Sequence, residues 1–286
     1  MSSFVLPDTS RPTAVIGSGT LGQRIALMLA SEGGEVRLYD PNAEQAEAGR
    51  QYVERELGNV VGARQGATAG RVTVAASLED ALADVWMAVE AVPERLDLKT
   101  KLFGDLDRLA PADAVLASNS SSYPSSQFIG EVTRPERVVN THYYMPPEQA
   151  AVEIMSCGRT DDSVIALLMK RLPAYGLVPF HVRSESVGFI FNRIWAAVKR
   201  EALAVVAEGA STPEDVDRIA HVLTGAPGGP FRMMDQVGLD VVLDIEEHYA
   251  ATRPGVPAGP RELLKTYVGQ GRLGVKSGRG FYDDYR

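Results

Sequence analysis

Thr13-Ala14-Val15-Ile16-Gly17-Ser18-Gly19-Thr20-Leu21-Gly22 decides how the first half of the chain folds. A short apolar run leads into three glycines at turn spacing, and Ile25-Ala26-Leu27-Met28-Leu29-Ala30 then continues with helical spacing. The stretch reads as strand, glycine turn, helix. Gly17 permits the tight turn, Gly19 lets the backbone approach a pyrophosphate, and Gly22 lets the helix lie close to the strand, with amides at the helix N-terminus facing the phosphates. Glu35-Val36-Arg37-Leu38-Tyr39-Asp40 supplies a second strand ending in an acid 18 residues after Gly22, where a carboxylate grips a ribose 2′-hydroxyl. That carboxylate repels a 2′-phosphate, which favours NAD over NADP. The competing reading makes the glycines an ordinary loop and Asp40 the cap of a helix beginning near Asn42.

Working outward, Arg71 to Val74, Val85 to Val92 and Ala114 to Asn119 are further strands, each separated from the next by a helix. Such alternation predicts an α/β fold with a doubly wound, mainly parallel sheet. Ligands collect at the carboxyl ends of its strands, which puts Pro93-Glu94 and Asn119-Ser120-Ser121 near a nicotinamide, although serines after a strand are also common turn formers. Val178 to Val182 reads as the last strand. The domain boundary is expected near Arg183, giving a dinucleotide-binding domain over 1–183 and an all-helical domain over 184–286. In the latter a helix carries Ile190, Phe191, Ile194, Trp195, Val198, Leu203 and Val206. Further helices are expected at Thr212 to Val222, Met234 to Tyr249 and Pro260 to Gly269, between Pro and Gly clusters that mark loops. So much apolar helix surface packs either the domain's own core or a second copy in a homodimer.

With 286 residues, 45% hydrophobic and 23% charged, the composition is that of a globular protein with a sizeable core. A net charge of −8 argues against nucleic acid or an anionic membrane as partner. The single cysteine, Cys157, cannot form an intrachain disulfide, and Met1 to Pro7 lacks the basic and apolar regions of a signal peptide, so a cytoplasmic location is expected. The apolar run from Val187 to Ala207 is interrupted by Asn192, Arg193, Lys199, Arg200 and Glu201 and does not read as a membrane span. The four histidines form no local metal-ligand cluster, and no metal is expected.

The chemistry centres on His142, in Thr141-His142-Tyr143-Tyr144-Met145-Pro146-Pro147, and Glu153, in Ala151-Val152-Glu153-Ile154-Met155. Oxidising a secondary alcohol removes a hydride from carbon and a proton from oxygen; a nicotinamide takes the first, and an imidazole held by a carboxylate suits the second. A carboxylate accepting from one ring nitrogen fixes the tautomer and favours the imidazolium formed when the hydroxyl loses its proton. The bland alternative is a structural histidine beside a surface acid. The apolar neighbours Val138, Val139, Ile154 and Met155 speak against it, because they suggest two strands entering a core, where a charge needs a partner.

Taken in order, Gly17 to Gly22, Glu90-Ala91-Val92-Pro93-Glu94, Ser118 to Ser122, His142 to Pro146, Val152-Glu153, Gly188 to Arg193, Gly229-Pro230-Phe231, Asp235 to Asp240 and Gly274 to Tyr282 resemble the motifs of the L-3-hydroxyacyl-CoA dehydrogenase family over nearly the whole chain. The resemblance implies a Rossmann-type NAD-binding domain followed by a helical domain for substrate and dimerisation. It implies an NAD-dependent enzyme of fatty acid metabolism that interconverts an L-3-hydroxyacyl thioester and its 3-keto form. It makes His142 the acid–base residue, Glu153 its orienting partner, Ser121 a hydrogen-bond partner of the reacting oxygen, and Asn192 a polar group of the pocket. It also places Asp40, Glu94, Lys99, Ser121 and Lys276 near the cofactor. Helix capping remains an alternative for Asn192, and a solvated ion pair for Glu94 and Lys99.

The chain departs from the family in two places. The histidine motif usually continues with two phenylalanines and an asparagine; here Tyr143, Tyr144 and Met145 follow, so the pocket is either less polar at that point or served by a tyrosine hydroxyl. The helix after Asp40, commonly lysine-rich in members that bind the phosphates of CoA, carries Glu44, Glu47, Glu54 and Glu56 against Arg50 and Arg55 and is expected to be short, ending toward Gly62 and Gly66. Carrier-protein-bound or free 3-hydroxy acids therefore stand beside CoA thioesters as the small-molecule substrate. A non-catalytic NAD-binding protein is the alternative of another class.

Overall fold

An apolar strand with no polar face belongs inside a sheet covered on both sides, and the first strand, β1 (Thr13–Ile16), is buried at every residue. The computed structural model describes residues 4–285 and divides into two compact units that part between Ile190 and Phe191. In the first unit the chain continues through α1 (Thr20–Leu29), β2 (Glu35–Tyr39), α2 (Ala43–Gly62), β3 (Arg71–Val74), α3 (Leu78–Leu82) and β4 (Met87–Glu90). It then forms α4 (Leu96–Leu109), β5 (Val115–Ser118), β6 (Val138–Tyr143), β7 (Ala151–Ser156), α5 (Asp162–Arg171) and β8 (Val178–Val182).

The strands make one eight-stranded sheet in the order β3-β2-β1-β4-β5-β6-β7-β8. All neighbours run parallel except β6 and β7, which are antiparallel. Alternate residues of a strand feed opposite faces. Val15, Val89 and Ala117 join one core with α1, α2 and α5, whereas Ala14, Ile16, Ala88 and Leu116 join another with α3 and α4. This is the doubly wound α/β arrangement expected from the alternation of strands and helices. Because β2 lies on one side of β1 and β4 on the other, the chain reverses its direction of winding at β1, which opens a crevice at the carboxyl ends of β1 and β4.

Two local expectations need correction. The helix after Asp40 is not short: α2 runs for 20 residues. Asn42 caps its first turn by accepting from Glu44 and Gln45 N–H, Ala46, Val53 and Leu57 bury one face, and Arg50 bridges Glu47 and Glu54 on the exposed face. The stretch from Met234 to Tyr249 is not one helix. The second unit, α6 (Phe191–Ala207), α7 (Pro213–Thr224), α8 (Pro230–Val237), α9 (Leu239–Thr252) and α10 (Gly259–Gly269), breaks there at Gly238, whose φ of +104° no helix contains. Apolar periodicity continues across the break because both helices pack on the same core of Leu203, Phe231, Met234, Leu239, Val242 and Leu264. Among the described residues no helix is long and apolar enough to cross a membrane.

Candidate active site

The glycine turn has the shape a dinucleotide needs. A Cβ at Gly22 would lie 1.9 Å from the carbonyl oxygen of Gly17, so only hydrogen fits where α1 starts under the turn. Gly17 has φ +98°, and a Cβ there would meet the carbonyl oxygen of Ala91 at 2.6 Å. Gly19 differs: a Cβ would meet nothing within 4 Å, so its backbone borders open space. No side chain caps the N-terminus of α1, which leaves first-turn amides for phosphate oxygens. Asp40, just beyond β2, is not the cap of α2. Its Oδ2 accepts from Ser18 N–H at 2.9 Å and its Oδ1 from Asn42 N–H at 3.0 Å, which fixes the acid beside the glycine turn. These residues fit a bound NAD.

Beyond the turn, at the carboxyl ends of β4, β5 and β6, lies a cavity of about 300 Å³ whose lining includes Leu21, Glu94, Lys99, Ser121, His142 and Tyr144. Lys99 and Glu94 are not a solvated pair. The Lys99 side chain is 1% exposed and its Nζ donates to Glu90 Oε1 at 2.7 Å, with Glu94 Oε2 at 3.1 Å. Glu90, also buried, accepts in addition from Val92 N–H and from Ser118 Oγ. Burial opposes ionisation of Glu94, but the Lys99 ammonium and hydrogen bonds from Ser120 and Ser122 outweigh it and hold the carboxyl below its usual range. Glu90 was legible only as part of a motif. A carboxylate ending the otherwise apolar strand Met87–Glu90 was the signal that a buried cation must answer it. Asn119 joins the site too, its Oδ1 accepting from Tyr143 N–H at 2.9 Å.

His142 and Glu153 face each other across the antiparallel β6–β7 ladder, in register, so their side chains share one side of the sheet. His142 Nδ1 lies 3.0 Å from Glu153 Oε2, and both side chains are almost wholly buried. The same carboxylate accepts from Ile190 N–H at 2.9 Å through Oε1 and from the Tyr144 hydroxyl at 2.8 Å through Oε2. The imidazole stacks on Phe189 at 4.8 Å and meets the Tyr144 ring edge-on at 4.6 Å. With Nδ1 turned to the carboxylate, Nε2 makes no hydrogen bond among the described residues. Burial and the neighbouring Glu153 carboxylate raise the Tyr144 phenol above its ordinary value, so it stays a hydrogen-bond donor.

Ser121 is exposed at the cavity wall. Asn192 lies in the first turn of α6, and Lys276 pairs with Asp240 at 2.5 Å; both belong to the second unit. Among the described residues no group of three or more His, Cys, Asp or Glu side chains forms a metal cluster.

A dinucleotide turn and a buried histidine–carboxylate pair at the same end of one sheet define an NAD-dependent oxidoreductase. Residues 12–185 match the family described as 3-hydroxyacyl-CoA dehydrogenase, NAD binding domain, and residues 188–284 match 3-hydroxyacyl-CoA dehydrogenase, C-terminal domain. A probable 3-hydroxybutyryl-CoA dehydrogenase of Bacillus subtilis is 34% identical over 94% of this chain and 96% of its own length. The crystal structure of (S)-3-hydroxybutyryl-CoA dehydrogenase from Ralstonia eutropha superposes with a TM-score of 0.84 at 29% identity, covering 95% of this chain and 98% of that one. A diketoreductase structure superposes at 0.78 with 28% identity, covering 99% of both chains. The chain belongs to the 3-hydroxyacyl-CoA dehydrogenase family.

Proposed function

We propose that the protein interconverts an L-3-hydroxyacyl thioester and its 3-keto form, with His142 as acid–base residue and Glu153 as its orienting partner. The single observation that carries this reading is the in-register, buried contact between His142 Nδ1 and Glu153 Oε2 beside the cavity. NAD, when bound, supplies the hydride acceptor. His142 Nε2, with Nδ1 committed to the carboxylate, takes the proton of the substrate hydroxyl, and Glu153 stabilises the imidazolium that results. In reduction the imidazolium returns that proton to the developing alkoxide. Ser121 holds the reacting oxygen through its hydroxyl, and Asn192 adds a polar contact. Gly17, Gly19, Gly22, Asp40, Glu94, Lys99 and Lys276 serve the cofactor. His142→Ala is expected to abolish NADH oxidation with a 3-keto substrate while NADH binding, followed by fluorescence, stays within about threefold of the parent; unchanged turnover refutes the assignment.

A second reading keeps the chemistry but replaces CoA by a carrier protein or a free acid. It is favoured by α2, where Arg50 faces Glu47 and Glu54 and Arg55 faces Glu56, so acidic side chains stand beside these cations. NADH oxidation with acetoacetyl-CoA against acetoacetate separates the two readings: turnover of the acid alone discards the CoA thioester. We also infer a homodimer, supported by exposed apolar residues at helical spacing, Ile194 and Val198 on α6 and Ile219, Val222 and Leu223 on α7. Sedimentation showing only monomer at all concentrations would discard it. A cytoplasmic location is consistent with the one free, buried Cys157, and recovery of the native chain from an oxidising compartment would contradict it.

A further inference from the structure

We propose that Tyr144 is a positioning residue that sets the pH response of His142 by donating its phenol hydrogen to the carboxylate on which that imidazole rests. The inference builds on the reading of His142 and Glu153 as the acid–base pair. Two donors converge on one atom: Tyr144 Oη lies 2.8 Å and His142 Nδ1 3.0 Å from Glu153 Oε2. Ile190 N–H occupies the other carboxylate oxygen. A buried carboxylate oxygen whose charge is shared between two donors attracts each less than it would attract one alone. The phenol therefore moderates the imidazolium that Glu153 stabilises, and its ring, edge-on to the imidazole at 4.6 Å, limits how far that ring can turn.

Opposite Glu153 on β8 stands apolar Phe180, with His181 next along that strand and directed to the other face. The segment after β8 contributes the Phe189 ring and the Ile190 amide. The cavity's other charges, Glu90, Glu94 and Lys99, pair with one another.

Tyr144→Phe removes one oxygen and keeps the ring. Freed from the phenol, Glu153 holds the imidazolium more strongly, and the alkaline limb of kcat/KM for NADH-dependent reduction is expected to move up by about half to one pH unit. KM for the keto substrate is expected to stay within about twofold. In a Glu153→Gln background the same change should move the limb by less than about 0.2 units, because the phenol acts through the carboxylate. An independent reading that needs no turnover is the pH titration of the histidine C2–H resonances; the chain has four histidines, and the signal missing from His142→Ala identifies the one to follow. It should shift upward in Tyr144→Phe by the same amount. An unmoved limb and an unmoved resonance overturn the proposal, as does an equal shift in the Glu153→Gln background or a large rise in KM with an unchanged profile. If His142→Ala retains turnover, the acid–base reading falls instead, whatever Tyr144→Phe does.

Discussion

Replacing Glu153 by glutamine keeps the size of the side chain and removes its charge from a contact of 3.0 Å with His142 Nδ1. For two unit charges at that separation the attraction is roughly 5 kcal/mol at an effective dielectric of about 20, before desolvation is subtracted. Hydrogen bonds to charged groups retain about 1.5–3 kcal/mol in practice. Both side chains are buried, so solvent screening does little to reduce this. The whole interaction favours the imidazolium, and its loss lets the proton leave at lower pH. At about 1.4 kcal/mol per pH unit, the alkaline limb of kcat/KM for reduction should move down by about one to two units. The plateau rate should fall roughly 10- to 100-fold, and further if the amide N–H of the new glutamine faces Nδ1 and forces the other tautomer. Stopped-flow measurement of NADH oxidation across pH, with NADH binding followed separately, reads both effects. A limb within about 0.3 units of the parent, with a rate within threefold, would refute the pairing as a source of catalysis.

Asp40→Ala should weaken NADH binding about tenfold, by removing a carboxylate hydrogen bond, and should narrow the preference over NADPH; fluorescence titration with both cofactors that gives an unchanged ratio of dissociation constants counts against the assigned role. Lys99→Met strands the Glu90 carboxylate in the interior and should lower unfolding stability by about 3–5 kcal/mol in urea. In the parent, Glu94, depressed below its ordinary 4.5, contributes stability that is present above that value and is lost as pH falls toward its folded value. Lys99→Met should flatten that part of the stability curve, and a parallel curve would contradict the coupling. Gly22→Ala drives a methyl to within 1.9 Å of the Gly17 carbonyl oxygen, so the turn must move; a loss of about 1–3 kcal/mol together with weakened NADH binding is expected, and an unchanged urea midpoint would mean the turn is not packed as described.

Much of this was legible in sequence because its causes are local. Thr13–Ile16, Arg71–Val74 and Val178–Val182 carry the bounds expected of them, since short runs rich in β-branched or aromatic residues between turn or loop segments leave the backbone little alternative. The glycine turn was readable one residue at a time for the same reason. Gly238 was not: apolar spacing reports which face is buried, and two helices on one core share that spacing while the backbone between them turns at φ +104°. Nor was the length of α2, where a cap, an apolar face and ion pairs carry the helix through Gly49 and Gly58 to its last residue, Gly62.

By itself, then, the order of residues determined the doubly wound sheet, the seat for NAD and the candidacy of His142 and Glu153, because strand period, glycine geometry and residue chemistry are short-range properties. Tertiary structure supplied the register behind the expected His142–Glu153 pair and alone decided which other groups meet. The antiparallel turn between β6 and β7 brings Glu153 opposite His142. The winding of α4 over β4 drops Lys99 onto Glu90, and the strand end beyond β6 swings the Tyr144 hydroxyl onto the oxygen that His142 already uses. Such contacts depend on register and burial across distant segments, and a buried charge accepts only the partner that the finished packing leaves beside it.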